Sequence, residues 1–421
     1  MEEALELYLH IPFCAKKCGY CDFLSFAADD DTIGKYISAL CGEIRMAGEQ
    51  VLPAGCEDAG EDCGSAGQRT GGRARGTHQK RARVSTVFIG GGTPSILTAG
   101  QIEAVMEAVC GAFSVAADAE ISIEVNPGTA DEEKLRAFVQ AGINRISIGC
   151  QSFRDDELAR MSRIHDRRAI FACVDAARRA GFENLNLDLI FGIPGQDPAG
   201  WESNLLEAVS LEPEHLSAYG LIIEEGTPFY EKRTSLPLPD EDAERAMYER
   251  TAEVLGAHGY EQYELSNYAK PGRACRHNTG YWTGVPYRGL GLGAASFLYL
   301  PRGAVRFSNT RDMRVYCSHM MSPDSAALAR NPDVSDARGA AEIEYLTEAD
   351  LRSEYMILGL RLIRGIREEA FCRRFGAAPG EVFGTAIRKH IKNGLLARED
   401  GRVFLTPRGR SLANLVMADF L

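Results

Sequence analysis

The chain has no excess of basic residues. Lys and Arg number 47 against 59 Asp and Glu, so its 421 residues carry a formal net charge of −12. Proteins that grip nucleic acid usually present a basic face, so nucleic acid is not an expected partner. No apolar run approaches the roughly 18 residues needed to span a bilayer, which leaves no integral membrane segment to expect. The opening residues, MEEALELYLHIPFC, carry Glu2 and Glu3 where a signal peptide carries positive charge, and their apolar stretch is short. The expectation is a cytoplasmic protein, with at most a transient visit to a membrane surface. A flavin or nicotinamide fingerprint is also missing. The run Gly289-Leu-Gly-Leu-Gly293 has neither the preceding strand nor the βαβ setting of a dinucleotide site, and it reads as a tight turn or a close-packing run.

Apolar residues make up 45% of the chain, enough for a full-sized core, and the length suggests two or three domains. One segment stands apart. Residues 53–83 are glycine-rich, lack apolar periodicity and change from acidic to basic, as in a mobile surface insertion. Its Cys56, Cys63 and His78 form only a weak metal pattern, and the basic run Arg73 to Arg83 reads as a solvent-facing stretch.

Twelve cysteines in a reducing compartment need a reason other than disulfides. Nine of them are scattered and read as small apolar side chains; Cys150, for example, reads as strand-end core. Cys14, Cys18 and Cys21 are different. They form CAKKCGYC, three thiols in one eight-residue loop after a short apolar segment. Converging thiolates make a soft-metal site. Tetrahedral zinc takes four ligands, and the neighbouring His10 and Asp22 fit no usual zinc spacing. A [4Fe–4S] cluster takes one protein ligand per iron, so three cysteines would leave one iron open to a small molecule. The bland alternatives are coincidence and structural zinc.

The stretch from Tyr8-Leu-His-Ile-Pro-Phe-Cys14 to Cys21-Asp-Phe23 resembles the radical S-adenosylmethionine (SAM) superfamily. Within it, the sequence resembles the oxygen-independent coproporphyrinogen III oxidase family. The resemblance implies that the three cysteines hold a [4Fe–4S] cluster and that SAM chelates the fourth iron, to be cleaved to a radical on reduction. It implies an electron donor of the flavodoxin or ferredoxin type. It also assigns a cofactor set. Gly91, Gly92 and Thr93, in Gly90-Gly-Gly-Thr-Pro94, match the motif that meets the SAM amino group. Glu124, Gln151 and Arg163 match further SAM contacts, and Asp188 matches a position by the ribose. Tyr8 and Phe23 flank the cluster loop, although an aromatic such as Tyr8 is equally at home in a core.

Apolar strand candidates at 5–11, 84–89, 121–125, 145–149, 184–190 and 215–219 alternate with helical patterns near 32–47, 99–112, 131–141, 167–180 and 200–209. This rhythm predicts an α/β fold with a parallel sheet. The resemblance makes it a partial (β/α)6 barrel with its motifs at the C-terminal strand ends, where barrel sites form. The expected domains are the barrel at 1–230, an extension at 231–345 and a winged-helix-like C-terminal domain at 346–421. In that setting the tail suggests packing or a lid rather than DNA binding.

Two departures separate this chain from the oxidases it resembles. Those carry a further cysteine two residues after the third, where this chain has Phe23, and they carry residues upstream of the cysteine loop that help enclose the substrate. In addition, His277-Asn-Thr-Gly-Tyr-Trp282 matches an HNxxYW segment typical of the HemW branch, the haem chaperones. The resemblance thus implies binding of haem or another tetrapyrrole and delivery to haem-accepting proteins. His277 is the candidate axial ligand, with Tyr281 and Trp282 stacking on the porphyrin; the plain alternative is a loop histidine. The competing activity is oxidative decarboxylation of coproporphyrinogen III. The remaining histidines, His10 among them, show no pattern above background.

Overall fold

The computed structural model describes residues 4–49, 81–320 and 340–421. Strand β1, Leu5–Ile11, shows how the chain builds its sheet. Leu5, Leu7, Leu9 and Ile11 lie on one face and are buried, while Glu6, Tyr8 and His10 alternate onto the other. The apolar face packs under helices. The polar face turns inward.

The pattern repeats. After β1 come α1 (Asp30–Glu49), β2 (Arg83–Gly91), α2 (Ala99–Ala112), β3 (Ser114–Val125), α3 (Glu132–Gln140) and β4 (Arg145–Gln151). Then follow α4 (Asp155–Arg160), α5 (Arg167–Ala180), β5 (Leu185–Phe191), α6 (Pro198–Ser210) and β6 (His215–Gly220). The helices start where the sequence supplies caps. Thr98 forms a capping box with Gln101, and Asp131, Asp166 and Asp197 each accept a backbone N–H in the first turn of the following helix. β1 to β6 pair in chain order and all run parallel, the wall of a (β/α)6 partial barrel.

Leu7, Leu9, Val87, Ile89, Ile123, Ile146, Ile148, Leu187 and Leu189 are fully buried against the helices. The inner face is polar. Near the N-terminal strand ends it carries Glu6, Thr86, Glu120, Arg145 and His215, all buried. Register places Tyr8 beside Phe88, then His10 beside Gly90, as the strands approach their C-terminal ends.

Beyond residue 230 the apolar rhythm fades, but the sheet does not stop. Helices α7 (Pro228–Lys232) and α8 (Glu241–Ala257) are followed by β7 (Glu261–Gln262) and β8 (Asn267–Ala269), and β8 lies antiparallel to β6. Helix α9 (Arg276–Thr283) precedes β9 (Tyr287–Leu290), which adds to the free edge of β1. Then β10 (Ala295–Tyr299), β11 (Ala304–Asn309) and β12 (Ala340–Leu346) extend that edge, giving a twelve-stranded sheet. These pieces are too short to show a period. The strand predicted at 121–125 also begins earlier, at Ser114.

The C-terminal segment has its own core, built from Met356, Phe371, Val403, Val416 and Phe420. Short helices surround a three-stranded antiparallel sheet of Ile366–Arg367, Arg402–Leu405 and Leu396–Glu399. The insertion read at 53–83 lies outside the described residues up to position 80, together with Cys56, Cys63 and His78.

Candidate cluster and cofactor site

The cysteine loop leaves the C-terminal end of β1 and returns on itself. Phe26 N–H donates to Pro12 O at 2.9 Å, and Cys14 N–H donates to Phe26 O at 3.1 Å. Two more bonds pin its middle: Gly19 N–H donates to Met161 O at 3.3 Å, and Gly19 O accepts from Phe229 N–H at 3.0 Å. Cys14, Cys18 and Cys21 are all half-buried, and Ala15 to Lys17 between them are exposed. Among the described residues no group of three Cys, His, Asp or Glu side chains is gathered as a single-ion site.

The glycine turn after β2 is stitched to this loop. Gly92 N–H donates to Ile11 O at 2.8 Å and Thr93 N–H to Phe13 O at 2.7 Å. The approach leaves no room for side chains. A Cβ on Gly92 would stand 2.6 Å from Phe13 O, and one on Gly91, whose φ is +116°, would stand 2.5 Å from the His10 ring.

Thr93 opens a chain of contacts from one cysteine to another. Its Oγ1 lies 3.4 Å from Cys14 Sγ and accepts from Asn126 Nδ2 at 2.8 Å. Asn126 Oδ1 accepts from Arg163 Nη2 at 2.6 Å, and Arg163 Nη1 reaches Cys18 Sγ at 3.5 Å. Arg163 also donates to Gly149 O at 2.8 Å, while its buried Nε has no partner. Asn126 was not among the candidates. Its signal was there, an Asn-Pro pair directly after the strand bearing Glu124.

Glu124 Oε2 accepts from Gly91 N–H at 2.9 Å. Burial, reinforced by the Asp188 charge, pushes its carboxyl up to about 8. Asp188 accepts from Ser147 Oγ at 2.7 Å and from Asn186 Nδ2 at 2.9 Å. Gln151 ends β4 with a left-handed φ of 66° at a register break beside Gly149, which re-aims the strand end.

Tyr8 and His10 form a pair on the inner wall. His10 Nε2 lies 2.9 Å from Leu24 O, a carbonyl that can only accept, so Nε2 carries the proton and Nδ1 accepts from Tyr8 O–H at 3.0 Å. His10, not singled out by the sequence, therefore stands against Gly91. Phe23 does not join this group. Its side chain is exposed, and its carbonyl accepts from Lys17 Nζ at 3.1 Å.

His277 lies at the other end of the barrel. Glu120 accepts the Arg276 and His277 N–H groups at 3.0 and 3.1 Å, so α9 is anchored at the N-terminal strand ends. The His277 ring is 1% exposed and stacks on Phe88 at 5.2 Å. Its Nδ1 meets Thr86 Oγ1 at 2.7 Å and its Nε2 meets Tyr281 O–H at 3.1 Å. Burial, with the Arg145 charge adding to it, lowers its pKa to about 3. In this structure both ring nitrogens are engaged and the ring is closed off from solvent, so no nitrogen is presented to a haem iron. Gly280, in the same motif, is required by packing: a Cβ there would land on the Glu6 carboxyl. Trp282 differs, since one face lies under the Arg361 guanidinium at 4.3 Å and the residue borders a cavity.

The donor set fits an iron–sulfur cluster with SAM: three thiols on one loop, a glycine turn whose backbone comes close, and two half-buried carboxylates with one arginine around it. The fold agrees with this class. The chain overlays on a solved structure described as coproporphyrinogen III oxidase (HemN) from Escherichia coli, a radical SAM enzyme. The TM-score is 0.78 at 23% identity, covering 100% of this chain and 90% of that one. The model for the radical SAM superfamily matches residues 73–206, and that for the HemN C-terminal domain matches 346–412. Closer relatives narrow the class. "Heme chaperone HemW" of Bacillus subtilis (strain 168) is 33% identical over 98% of each chain, and its Escherichia coli (strain K12) counterpart is 38% identical over 74% of this chain and 75% of that one. The chain belongs to the HemW family of radical SAM proteins. Membership in a radical SAM family implies a [4Fe–4S] cluster and SAM as cofactors.

Proposed function

We propose that this protein is a haem chaperone that binds haem, or a closely related tetrapyrrole, and passes it to haem-accepting proteins. Cys14, Cys18 and Cys21 would hold the cluster. Gly91, Gly92, Thr93, Glu124, Gln151, Arg163 and Asp188 would hold SAM, with Asn126 locking Thr93 to Arg163. The observation that carries the reading is the full-length likeness to proteins named as haem chaperones, with HNxxYW at α9.

When bound, the cluster supplies an electron for SAM. The chain's own part is to position and shield. Glu124, held near 8, fixes the Gly91 amide, and Arg163 presents a cation beside Cys18. An external flavodoxin- or ferredoxin-type donor is part of the proposal; the exposed Lys16 and Lys17 beside the cysteines would suit an acidic protein surface. No helix among the described residues is long and apolar enough to cross a membrane. We place the protein in the cytoplasm, with membrane visits limited to delivery.

The test is an anaerobic incubation of cluster-loaded protein with SAM, reductant and coproporphyrinogen III, beside a haemin titration. The proposal expects a one-to-one haemin complex and no loss of CO2 from the porphyrinogen. Catalytic loss of two CO2 per substrate would instead establish the oxidase reading.

A further inference from the structure

One aromatic cavity lies away from the barrel mouth. It lies between the outer face of α9, strands β9 to β11 and the helix Glu348–Gly359 of the C-terminal segment, and its volume is about 290 Å³. Its walls are rings. Tyr281 packs edge-on against Tyr287 at 4.7 Å, Trp282 borders them, and Tyr355 faces them from the C-terminal helix. Charge is placed at the rim. Arg306 is neutralised by Glu354 at 2.7 Å and Glu344 at 3.2 Å. Arg374 is exposed, donates to the Tyr299 phenol oxygen, lies over the Tyr299 and Tyr355 rings at 4.8 and 5.6 Å, and has no carboxylate partner among the described residues. The buried Trp282 Nε1 also lacks a hydrogen-bond partner.

An aromatic slot whose lip carries a guanidinium with no carboxylate partner suits a flat apolar ring that carries a carboxylate arm. We propose that this cavity is the tetrapyrrole site: it takes one edge of the macrocycle, and Arg374 pairs with a propionate. The inference rests on the chaperone reading and locates its cargo. It also gives the HNxxYW segment a divided role, in which His277 locks α9 to the barrel floor while Tyr281 and Trp282 form a wall of the slot. No His, Cys or Met lines the cavity, so the hold is on the ring and the carboxylate rather than through an imidazole or sulfur bond to iron. A slot of this size grips an edge and leaves the rest of the ring accessible, which suits a carrier that must release its load.

The experiment is a fluorescence and absorbance titration of the full-length protein with haemin, metal-free protoporphyrin IX and protoporphyrin IX dimethyl ester. Wild type should bind haemin and protoporphyrin IX within about threefold of each other, and the ester at least tenfold more weakly. Arg374→Glu, a surface change, should weaken both acids at least tenfold and leave the ester unchanged. Tyr355→Ala should weaken all three, and unfolding midpoints should confirm that the variants remain folded. Haemin binding by wild type that neither substitution alters would overturn this location while leaving the chaperone reading intact. Failure of wild type to bind haemin would remove the chaperone reading itself.

Discussion

Thr86 on β2 and His277 on α9 are joined by a 2.7 Å hydrogen bond at the floor of the barrel, 191 residues apart in sequence. The bond fixes the one helix that carries the HNxxYW segment to the strands that carry the cofactor loops. Replacing His277 by Ala takes a hydrogen-bond partner from the Thr86 hydroxyl and the Tyr281 phenol and opens a void beside Phe88. The expected cost is about 2–4 kcal/mol of unfolding free energy, read from urea denaturation. Haemin affinity should change little in the folded fraction. An unchanged unfolding midpoint would contradict the structural role.

The same floor should give the protein an opposed pair of pH dependences. His277 titrates at an ordinary 6.5 in the unfolded chain but near 3 in the fold. Between these values the unfolded chain binds more protons, so this contribution is fully present above about 6.5 and is lost as pH falls toward 3. Glu6 behaves in the opposite sense. Burial and the Glu120 charge raise it from 4.5 to about 9, so its contribution is full below 4.5 and declines as pH rises toward 9. Glu6→Gln should therefore fold well at neutral pH and lose the alkaline decline, while keeping the acid one. Thermal unfolding of both proteins across pH 5 to about 9 checks this.

Asn126 sets the distance between Thr93 and Arg163. Asn126→Ala removes one neutral and one charge-assisted hydrogen bond, worth together about 1.5–3 kcal/mol. SAM affinity of the cluster-loaded protein should fall tenfold or more, measured by calorimetry, with iron content unchanged. Loss of iron along with SAM would mean that Asn126 holds the cysteine loop instead.

The cysteines divide by position. Serine at Cys14, Cys18 or Cys21 should abolish cluster iron and its visible absorbance. Serine at Cys110, which is exposed on α2, should leave both intact. Retention of full iron by any of the three loop variants would contradict the ligand assignment.

Much of the barrel was legible because its strands follow a simple rule. β1 and α2 span the predicted 5–11 and 99–112, since Leu5 to Ile11 alternates cleanly and Thr98 with Gln101 marks a helix start. The loop cysteines were legible for a different reason, their chemistry at close spacing. The edge strands β7 to β11 were not, because runs of two to six residues carry no period and owe their conformation to the neighbouring strand. His10 was missed for a related cause: it sits in an apolar strand, and only the fold brings Gly91 against it. The direction of the His277 ring was not legible because a motif gives residue identity without direction, and the ring points into the barrel floor. The exposure of Phe23 was not legible for the same reason, since adjacency to Cys21 says nothing about which way its ring faces.

Hand-over of haem tests the account most directly. Haemin-loaded protein is mixed with an apo haem acceptor, and the acceptor's Soret spectrum is followed with free haemin held below detection by an excess of unloaded chaperone. The account expects transfer that rises with acceptor concentration and is slowed by a substitution that weakens loading, such as Arg374→Glu, only in proportion to the haem carried. Appearance of acceptor-bound haem at the rate of spontaneous haemin release, independent of acceptor concentration, would contradict a chaperone role.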